Sequence, residues 1–344
     1  MKYICKLPEP EELQRKYPLD ENSIIERKRV IKDVKDVLSG KSKKKLLIIG
    51  PCSSDREDAV LDYMRRLKKV YDVVKDRFIV IPRVYTSKPR TNGQGYKGLL
   101  HRPNVGLSRD DIVAGIEMVR ELHLKVIKET GMFCADEMLY PEITAYLSDL
   151  LAYMAIGARS VEDQQHRLVA SGYDVPVGMK NPTSGDYSIM LNAIVAAQHC
   201  HTLTYRGYEV ETEGNQFSHA ILRGYTGSNG KLKPNYHYEN IVNLYDEYIK
   251  TNASNISVII DCNHSNSNKN YLEQIRIAKE VIGLCKEHKN IDLFVKGLMI
   301  ESYLEDGNQP IGGGVYGKSI TDSCLGWAKT EKLILDLYSM VNEK

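Results

Sequence analysis

Lys45–Ser53 reads KLLIIGPCS. Lys45 to Gly50 is an apolar run too short for a helix, and Gly50-Pro51 closes it with a turn. That is the pattern of a fully buried strand. Cys52 and Ser53 follow at its carboxyl end, and a helical pattern runs next, from about Arg56 to Val74.

The same alternation recurs outward from this unit. Further strand candidates are Phe78–Pro82, Met132–Ala135, Tyr153–Gly157, Val175–Met179, His201–Tyr205 with a second segment near Ala220–Leu222, Ser257–Ile260 and Leu293–Ile300. Helical patterns separate them: Arg109–Thr130, Ile143–Leu150, Val161–Ser171, Tyr187–Ala197, Tyr238–Lys250, Tyr271–Glu287 and Asp322–Met340. Buried, non-alternating strands separated by helices predict a parallel sheet. About eight strand-then-helix units predict a closed (β/α)₈ TIM barrel, residues 45–344, whose chemistry sits where the strands end. Arg206–Gln216 breaks the pattern and predicts an inserted β-hairpin near the sixth strand. Residues 1–44 precede the barrel. The first 20 or so, rich in proline and charge, read as an arm outside the core. Asn22 is placed to cap a helix to Leu38, with Ile24, Ile25, Val30, Ile31, Val34 and Val37 near helical spacing.

The composition narrows the function. The chain has 344 residues, 42% of them hydrophobic, which is enough for a large core. A net charge of +2 argues against a dedicated nucleic-acid partner and makes any basic cluster a local site for small anions. Seven cysteines without a CxxC pair fit reduced thiols in a cytoplasm. The amino-terminal residues lack the apolar run of a signal peptide, and no stretch is long and apolar enough to span a membrane.

In a barrel enzyme, unusual residues collect after the strands. Here Cys52 follows the first strand, Asp136-Glu137 the third, Arg159 the fourth and Lys180 the fifth. Arg223 follows the sixth, Asp261 to Ser265 the seventh and Glu301 the eighth. Asp322 precedes the last helix. Pro82–Gly98, PRVYTSKPRTNGQGYKG, follows the second strand with Arg83, Lys88, Arg90 and Lys97 and no acid. A basic, glycine-punctuated loop at a strand's carboxyl end is either an anion cradle or a solvated charged loop. Cations after several strands in succession favour the cradle.

Two groups emerge. Arg83, Lys88, Arg90, Arg159, Lys180 and Arg223 are suited to phosphate and carboxylate oxygens. Two phosphorylated substrates repel by roughly 4 kcal/mol per pair of unit charges about 4 Å apart at an effective dielectric near 20. Six cations exceed what one monophosphate needs. Cys52, His264, Glu301 and Asp322 offer a thiolate, an imidazole and two carboxylates, a donor set for a divalent transition metal. Spacing does not join these four; only the barrel does. Taken singly, Cys52 also reads as a small buried residue, His264 as a core histidine, Glu301 as a loop acid and Asp322 as an N-cap.

IGPCS, KPRT, GYKGL, IGARSVEDQQHRLVASG, PVGMKNPTSGD, ILRG, DCNHSNSNK, IESYLEDGNQ and YGKSITDSCLGW, in this order from Gly50 to Trp327, resemble the type I 3-deoxy-D-arabino-heptulosonate-7-phosphate (DAHP) synthases. The resemblance implies condensation of phosphoenolpyruvate with erythrose 4-phosphate, opening the shikimate route. It implies that Arg83, Lys88, Arg159, Lys180 and Arg223 hold phosphoenolpyruvate and that Lys88, Pro89, Arg90 and Thr91 hold erythrose 4-phosphate. Cys52, His264, Glu301 and Asp322 would bind one divalent metal (Mn²⁺, Fe²⁺, Co²⁺ or Zn²⁺). Lys88, Glu137, Lys180 and His264 would be catalytic, with Glu137 activating water. A homodimer or homotetramer in the cytoplasm is the expected form.

The chain departs from the family pattern in places. Ser54-Asp55-Arg56 stands where many members carry histidine-aspartate, and the KPRT-to-GYKG spacing is one residue longer. Many relatives bind phenylalanine or tyrosine between the arm, the helix after the third strand and the hairpin. There this chain has Thr144-Ala145 and Tyr173-Asp174, which predicts altered or absent inhibition. Two other readings stand beside the synthase: a metal-dependent sugar-phosphate aldolase or phosphatase, and a non-catalytic effector-binding barrel.

Overall fold

The computed structural model describes residues 1–103 and 110–342. Eight parallel strands form the centre: β1 (Lys45–Gly50), β2 (Phe78–Pro82), β3 (Cys134–Glu137), β4 (Leu151–Ile156), β5 (Val177–Lys180), β8 (His219–Leu222), β11 (Val258–Asp261) and β12 (Val295–Glu301). Their order is β2-β1-β12-β11-β8-β5-β4-β3. A parallel bridge from Arg83 to Ala135, with Val84 N donating to Ala135 O at 3.0 Å, joins the two ends and closes the barrel.

β1 is buried along its whole length, and so is β12. Tyr153, Gly178 and His219 from three adjacent strands fill one layer. A Cβ at Gly178 would lie 2.2 Å from the Tyr153 hydroxyl, so only glycine leaves room for it. That hydroxyl donates to His219 Nε2 at 2.8 Å, and His219 Nδ1 donates to Phe217 O at 2.8 Å.

Helices α3 (Glu57–Val74), α4 (Ile112–Thr130), α5 (Gln164–Ala170), α6 (Tyr187–Gln198), α7 (Tyr238–Tyr248), α8 (Glu273–Glu287), α9 (Lys289–Phe294) and α10 (Trp327–Asn342) belong to the outer layer. Along α3 the buried Val60, Met64, Leu67, Val70 and Val74 recur at three- and four-residue spacing, one apolar stripe toward the strands. Asp111 caps α4 by accepting from Ala114 N, and Gly131 ends it in the left-handed region at φ 68°. The expected helix start at Arg109 lies outside the described residues.

Several expectations change. His201–Tyr205 is not a barrel strand. Thr202–Tyr205 (β6) pairs antiparallel with Tyr208–Glu211 (β7), and the barrel strand is the second segment, His219–Leu222. The alternating exposure of β6 explains this, since a parallel barrel strand is buried on both faces. A second two-stranded ribbon, β9 (Tyr225–Thr226) with β10 (Leu232–Lys233), follows β8. Ile143–Leu150 is only a short 3₁₀ turn, Ile143–Leu147. The last helix begins at Trp327, so Asp322 lies in the preceding loop and caps nothing.

The arm is not free of the core. Its Pro10–Lys16 segment is a helix (α1) with Pro10 and Leu13 buried. Tyr146 donates to Pro8 O at 2.6 Å, and Arg120 of α4 donates to Tyr17 O at 2.7 Å. Helix α2 spans Glu21–Leu38 and is capped by Asp20, not Asn22. Ile24 and Ile25 are exposed, while Ile31, Val34 and Val37 are buried.

Candidate active site

The carboxyl ends of the strands surround a cavity of about 240 Å³. Lys88, Arg90, Arg159, Lys180, Arg223 and Lys269 contribute cations to its wall, and Cys52, Glu137, His264 and Asp322 also face it. Strand alternation explains the convergence. Residues two apart share a face, so Lys180 faces the interior above Gly178, and Glu137 does so beside Lys180.

The metal-like residues meet. Cys52 Sγ and carboxylate oxygens of Glu301 and Asp322 all lie within 4.8 Å of one another. His264 stands at the edge of this cluster, with Nε2 3.7 Å from Glu301 Oε1 and Nδ1 2.9 Å from Asp261 Oδ2. His264 has φ 54°, and Asn268 and Lys269 share the left-handed region. The DCNHSNSNK turn thus holds strained backbone beside the cluster, as functional turns often do. Burial pushes the Cys52 thiol up to about 12, so in the bare chain it stays protonated. Lys88 Nζ lies 3.2 Å from its sulfur. A buried thiol among two carboxylates and an imidazole fits a thiophilic divalent metal and suits Mg²⁺ or Ca²⁺ poorly.

The anionic and cationic parts interlock. Lys180 Nζ lies 3.6 Å from both Glu137 Oε2 and Asp261 Oδ2. Burial works to raise the Glu137 pKa, but Lys180, Lys88 and Arg83 outweigh it and hold the carboxyl below its ordinary value. Burial pulls the Arg223 guanidinium down; among the described residues it makes a 3.4 Å donation to Ser265 Oγ. Arg83 is wholly enclosed beneath the cavity. Its Nη2 donates to Glu301 Oε1 at 2.9 Å, while Nε and Nη1 make no hydrogen bond among the described residues and the group stacks over the Tyr85 ring. Such underused guanidinium donors are what a bound oxyanion would satisfy.

Pro89 and Arg90 line the cavity, whereas Thr91 is exposed and does not. Arg90 Nε donates to Tyr96 O at 2.7 Å. Ser160, Thr183, Lys269 and Thr321 also line the wall; the sequence assigns them no individual role, though each lies in or beside a strand-end motif. Asn263 and Asp261 were likewise unassigned. Asn263 Nδ2 donates to Glu301 Oε2 at 2.6 Å, which fixes that carboxylate. Asp55 faces a separate hollow with Tyr303, and burial pushes its carboxyl up to about 6.

A second cavity of about 540 Å³ lies between the arm, the turn after β3 and the hairpin. Gln14, Ala145, Tyr173, Leu203, Tyr205 and Thr212 are in its lining. The Tyr173 and Tyr205 hydroxyls meet at 3.2 Å, and Asp174 pairs with Arg27 of α2 at 3.0 Å.

Fold and site together define a (β/α)₈-barrel enzyme with an anion cradle beside a cluster of metal-capable ligands. A family model described as the DAHP synthetase I family matches residues 18–334. The chain is 35% identical over 342 residues to the Tyr-sensitive phospho-2-dehydro-3-deoxyheptonate aldolase of Escherichia coli K12, covering 97% of this chain and 92% of the relative. It is 36% identical to the Phe-sensitive enzyme of that strain, covering 100% and 97%. The solved phospho-2-dehydro-3-deoxyheptonate aldolase of Francisella tularensis superposes with a TM-score of 0.91 at 31% identity, covering 99% and 98% of the two chains. The chain belongs to the DAHP synthetase I family, and it is an enzyme of the transferase class.

Proposed function

We propose that the chain condenses phosphoenolpyruvate with D-erythrose 4-phosphate to give 3-deoxy-D-arabino-heptulosonate 7-phosphate and inorganic phosphate. The observation that carries this reading is a single cavity with six cations on its wall beside the Cys52, Glu301 and Asp322 cluster. Lys88, Arg159, Lys180 and Arg223, with Arg83 beneath, hold the carboxylate and phosphate of phosphoenolpyruvate. Arg90, with Pro89 beside it, holds erythrose 4-phosphate; Thr91, outside the cavity, takes no part.

Cys52, His264, Glu301 and Asp322 would hold one divalent metal, Mn²⁺, Fe²⁺, Co²⁺ or Zn²⁺, which when bound supplies Lewis-acid polarisation of the aldehyde. The rest falls to the chain's own groups. The cations offset the mutual repulsion of two phosphorylated substrates and align C3 of phosphoenolpyruvate with the aldehyde carbon. Such alignment supplies up to roughly 7–11 kcal/mol in well-oriented reactions. Glu137, kept ionised by Lys180, is placed to take a proton from the water that adds at C2. Phosphate then leaves by C–O cleavage, and Lys180 and Arg223 balance its charge.

Phosphate release that requires both substrates and stops with a chelator tests this reading. Release from phosphoenolpyruvate alone would favour a phosphatase. No turnover with any of the four metals would favour an effector-binding barrel. We also propose a homodimer or homotetramer acting in the cytoplasm; exposed Tyr3, Ile4, Ile24 and Ile25 give an assembly apolar surface to cover. The second cavity supports altered or absent inhibition by aromatic amino acids, because Tyr173, Tyr205 and the Asp174–Arg27 pair occupy its wall.

A further inference from the structure

Asp136 is a carboxylate where a barrel has little use for one. Glu137 faces the cavity, so its neighbour on β3 faces the helix layer, normally apolar ground. Asp136 is only 5% exposed. Burying a charge there costs several kcal/mol unless the partners are good. Its partners are specific. Oδ1 accepts from Thr86 N at 3.1 Å and from Glu137 N at 2.7 Å, and Oδ2 accepts from Thr86 Oγ1 at 2.5 Å. Behind it, His123 of α4 is fully enclosed, with Nε2 3.8 Å from Oδ2 and no hydrogen bond to either ring nitrogen among the described residues.

Both segments that Asp136 grips lead to the site. Thr86 lies two residues before Lys88, and Thr86 O accepts from Leu100 N at 3.1 Å while Lys88 N donates to Lys97 O at 2.9 Å, closing the base of the basic loop. Lys88 Nζ then reaches Cys52. Glu137 reaches Lys180. One carboxylate therefore fixes the main chain beneath an ammonium on β2's loop and beneath a carboxylate on β3.

We propose that Asp136, backed by His123, is a positioning residue for the condensation: it holds Thr86 and Glu137 so that Lys88 and Glu137 keep their stations in the cavity. The chemical consequence rests on the proposed function; the mechanical one does not. Two readouts therefore test it, steady-state kinetics and amide hydrogen exchange of the intact chain. Asp136→Ala is expected to lower kcat by roughly 10- to 100-fold, the range for losing a group that orients site residues. Asp136→Asn keeps one acceptor oxygen and is expected to recover much of that loss. Thr86→Val is expected to lower kcat less, and its loss should not add fully to that of Asp136→Ala, because the two residues share one contact. In exchange, the Thr86 and Glu137 amides should open at least tenfold faster in Asp136→Ala while β1 and β12 amides stay unchanged. Wild-type kcat and KM in folded Asp136→Ala and Asp136→Asn, or unaltered exchange at both amides, would overturn the proposal. If the wild-type chain shows no condensation while exchange responds as expected, the functional reading fails and the anchoring role stands.

Discussion

Lys88 Nζ lies 3.2 Å from Cys52 Sγ, joining the end of β1 to the basic loop after β2. Burial holds Lys88 down, but the adjoining Cys52 sulfur and the Glu301 and Glu137 carboxylates outweigh it and raise its pKa above the ordinary value. The contact couples the anion cradle to the proposed metal site through a single pair of side chains. Cys52→Ala is therefore expected to lose chelator-sensitive turnover by more than about a hundredfold, since even a group that only orients a ligand is worth roughly 10- to 100-fold. Metal content after dialysis and phosphate release at saturating substrate are the checks. Full activity in metal-buffered assay would remove Cys52 from the ligand set.

Arg223 is mostly buried, and among the described residues its guanidinium makes one weak donation, so an oxyanion is its natural partner. A hydrogen bond to a charged group is worth about 1.5–3 kcal/mol. Arg223→Met should thus raise KM for phosphoenolpyruvate roughly 10- to 100-fold, tenfold per about 1.4 kcal/mol. Initial rates across phosphoenolpyruvate concentrations, at saturating erythrose 4-phosphate, decide it.

Gly95 has φ +93°, and a Cβ there would lie 3.3 Å from Arg90 Nε. Gly95→Ala strains the turn and displaces the guanidinium that Tyr96 O accepts from. The expected signature is a several-fold rise in KM for erythrose 4-phosphate with KM for phosphoenolpyruvate unchanged. Equal shifts in both would mean that Arg90 does not discriminate between the substrates.

His219 is buried and neutral, and burial lowers its pKa from 6.5 to about 4. Above pH 6.5 both folded and unfolded chains carry it neutral, so it adds no pH dependence. Between pH 6.5 and 4 the unfolded chain takes up a proton that the folded chain refuses, and stability falls as pH drops. The loss is about 3 kcal/mol. Denaturant unfolding at several pH values should show this slope in the wild type and a flatter one in His219→Gln.

Tyr173 and Tyr205 meet in the second cavity. Phenylalanine or tyrosine at micromolar concentration is expected to leave initial rates largely unchanged. Strong inhibition would show that the departures at Thr144-Ala145 and Tyr173-Asp174 are neutral.

The barrel was legible because each strand is a short apolar run closed by a turn, and the site because chemistry-bearing residues follow those runs. Cys52, Glu301 and Asp322 could be joined only by assuming closure, and closure does bring them within 4.8 Å. What sequence could not settle was which of two β-like segments enters the barrel. Both His201–Tyr205 and Ala220–Leu222 have strand composition, and exposure alone separates them. Asp136 was visible only as one of two acids following the apolar run Met132–Ala135. Its direction, away from the cavity, depends on the phase of the strand, which a run of four residues does not reveal. Asp20 and Asn22 are both good caps, and only the observed bond from Ser23 N to Asp20 chooses between them.

The closure of the barrel is uneven. Ladders stitch seven neighbouring strand pairs, but among the described residues β2 and β3 meet through one bridge, Arg83 to Ala135, and beyond it the Asp136 side chain gripping Thr86 ties the two edges. A cylinder fastened so lightly along one line breathes there first, and that line runs under the loop bearing Lys88 and Arg90. Heat or mild denaturant should therefore silence this enzyme while most of its wall is still standing, with loss of activity running ahead of loss of circular dichroism.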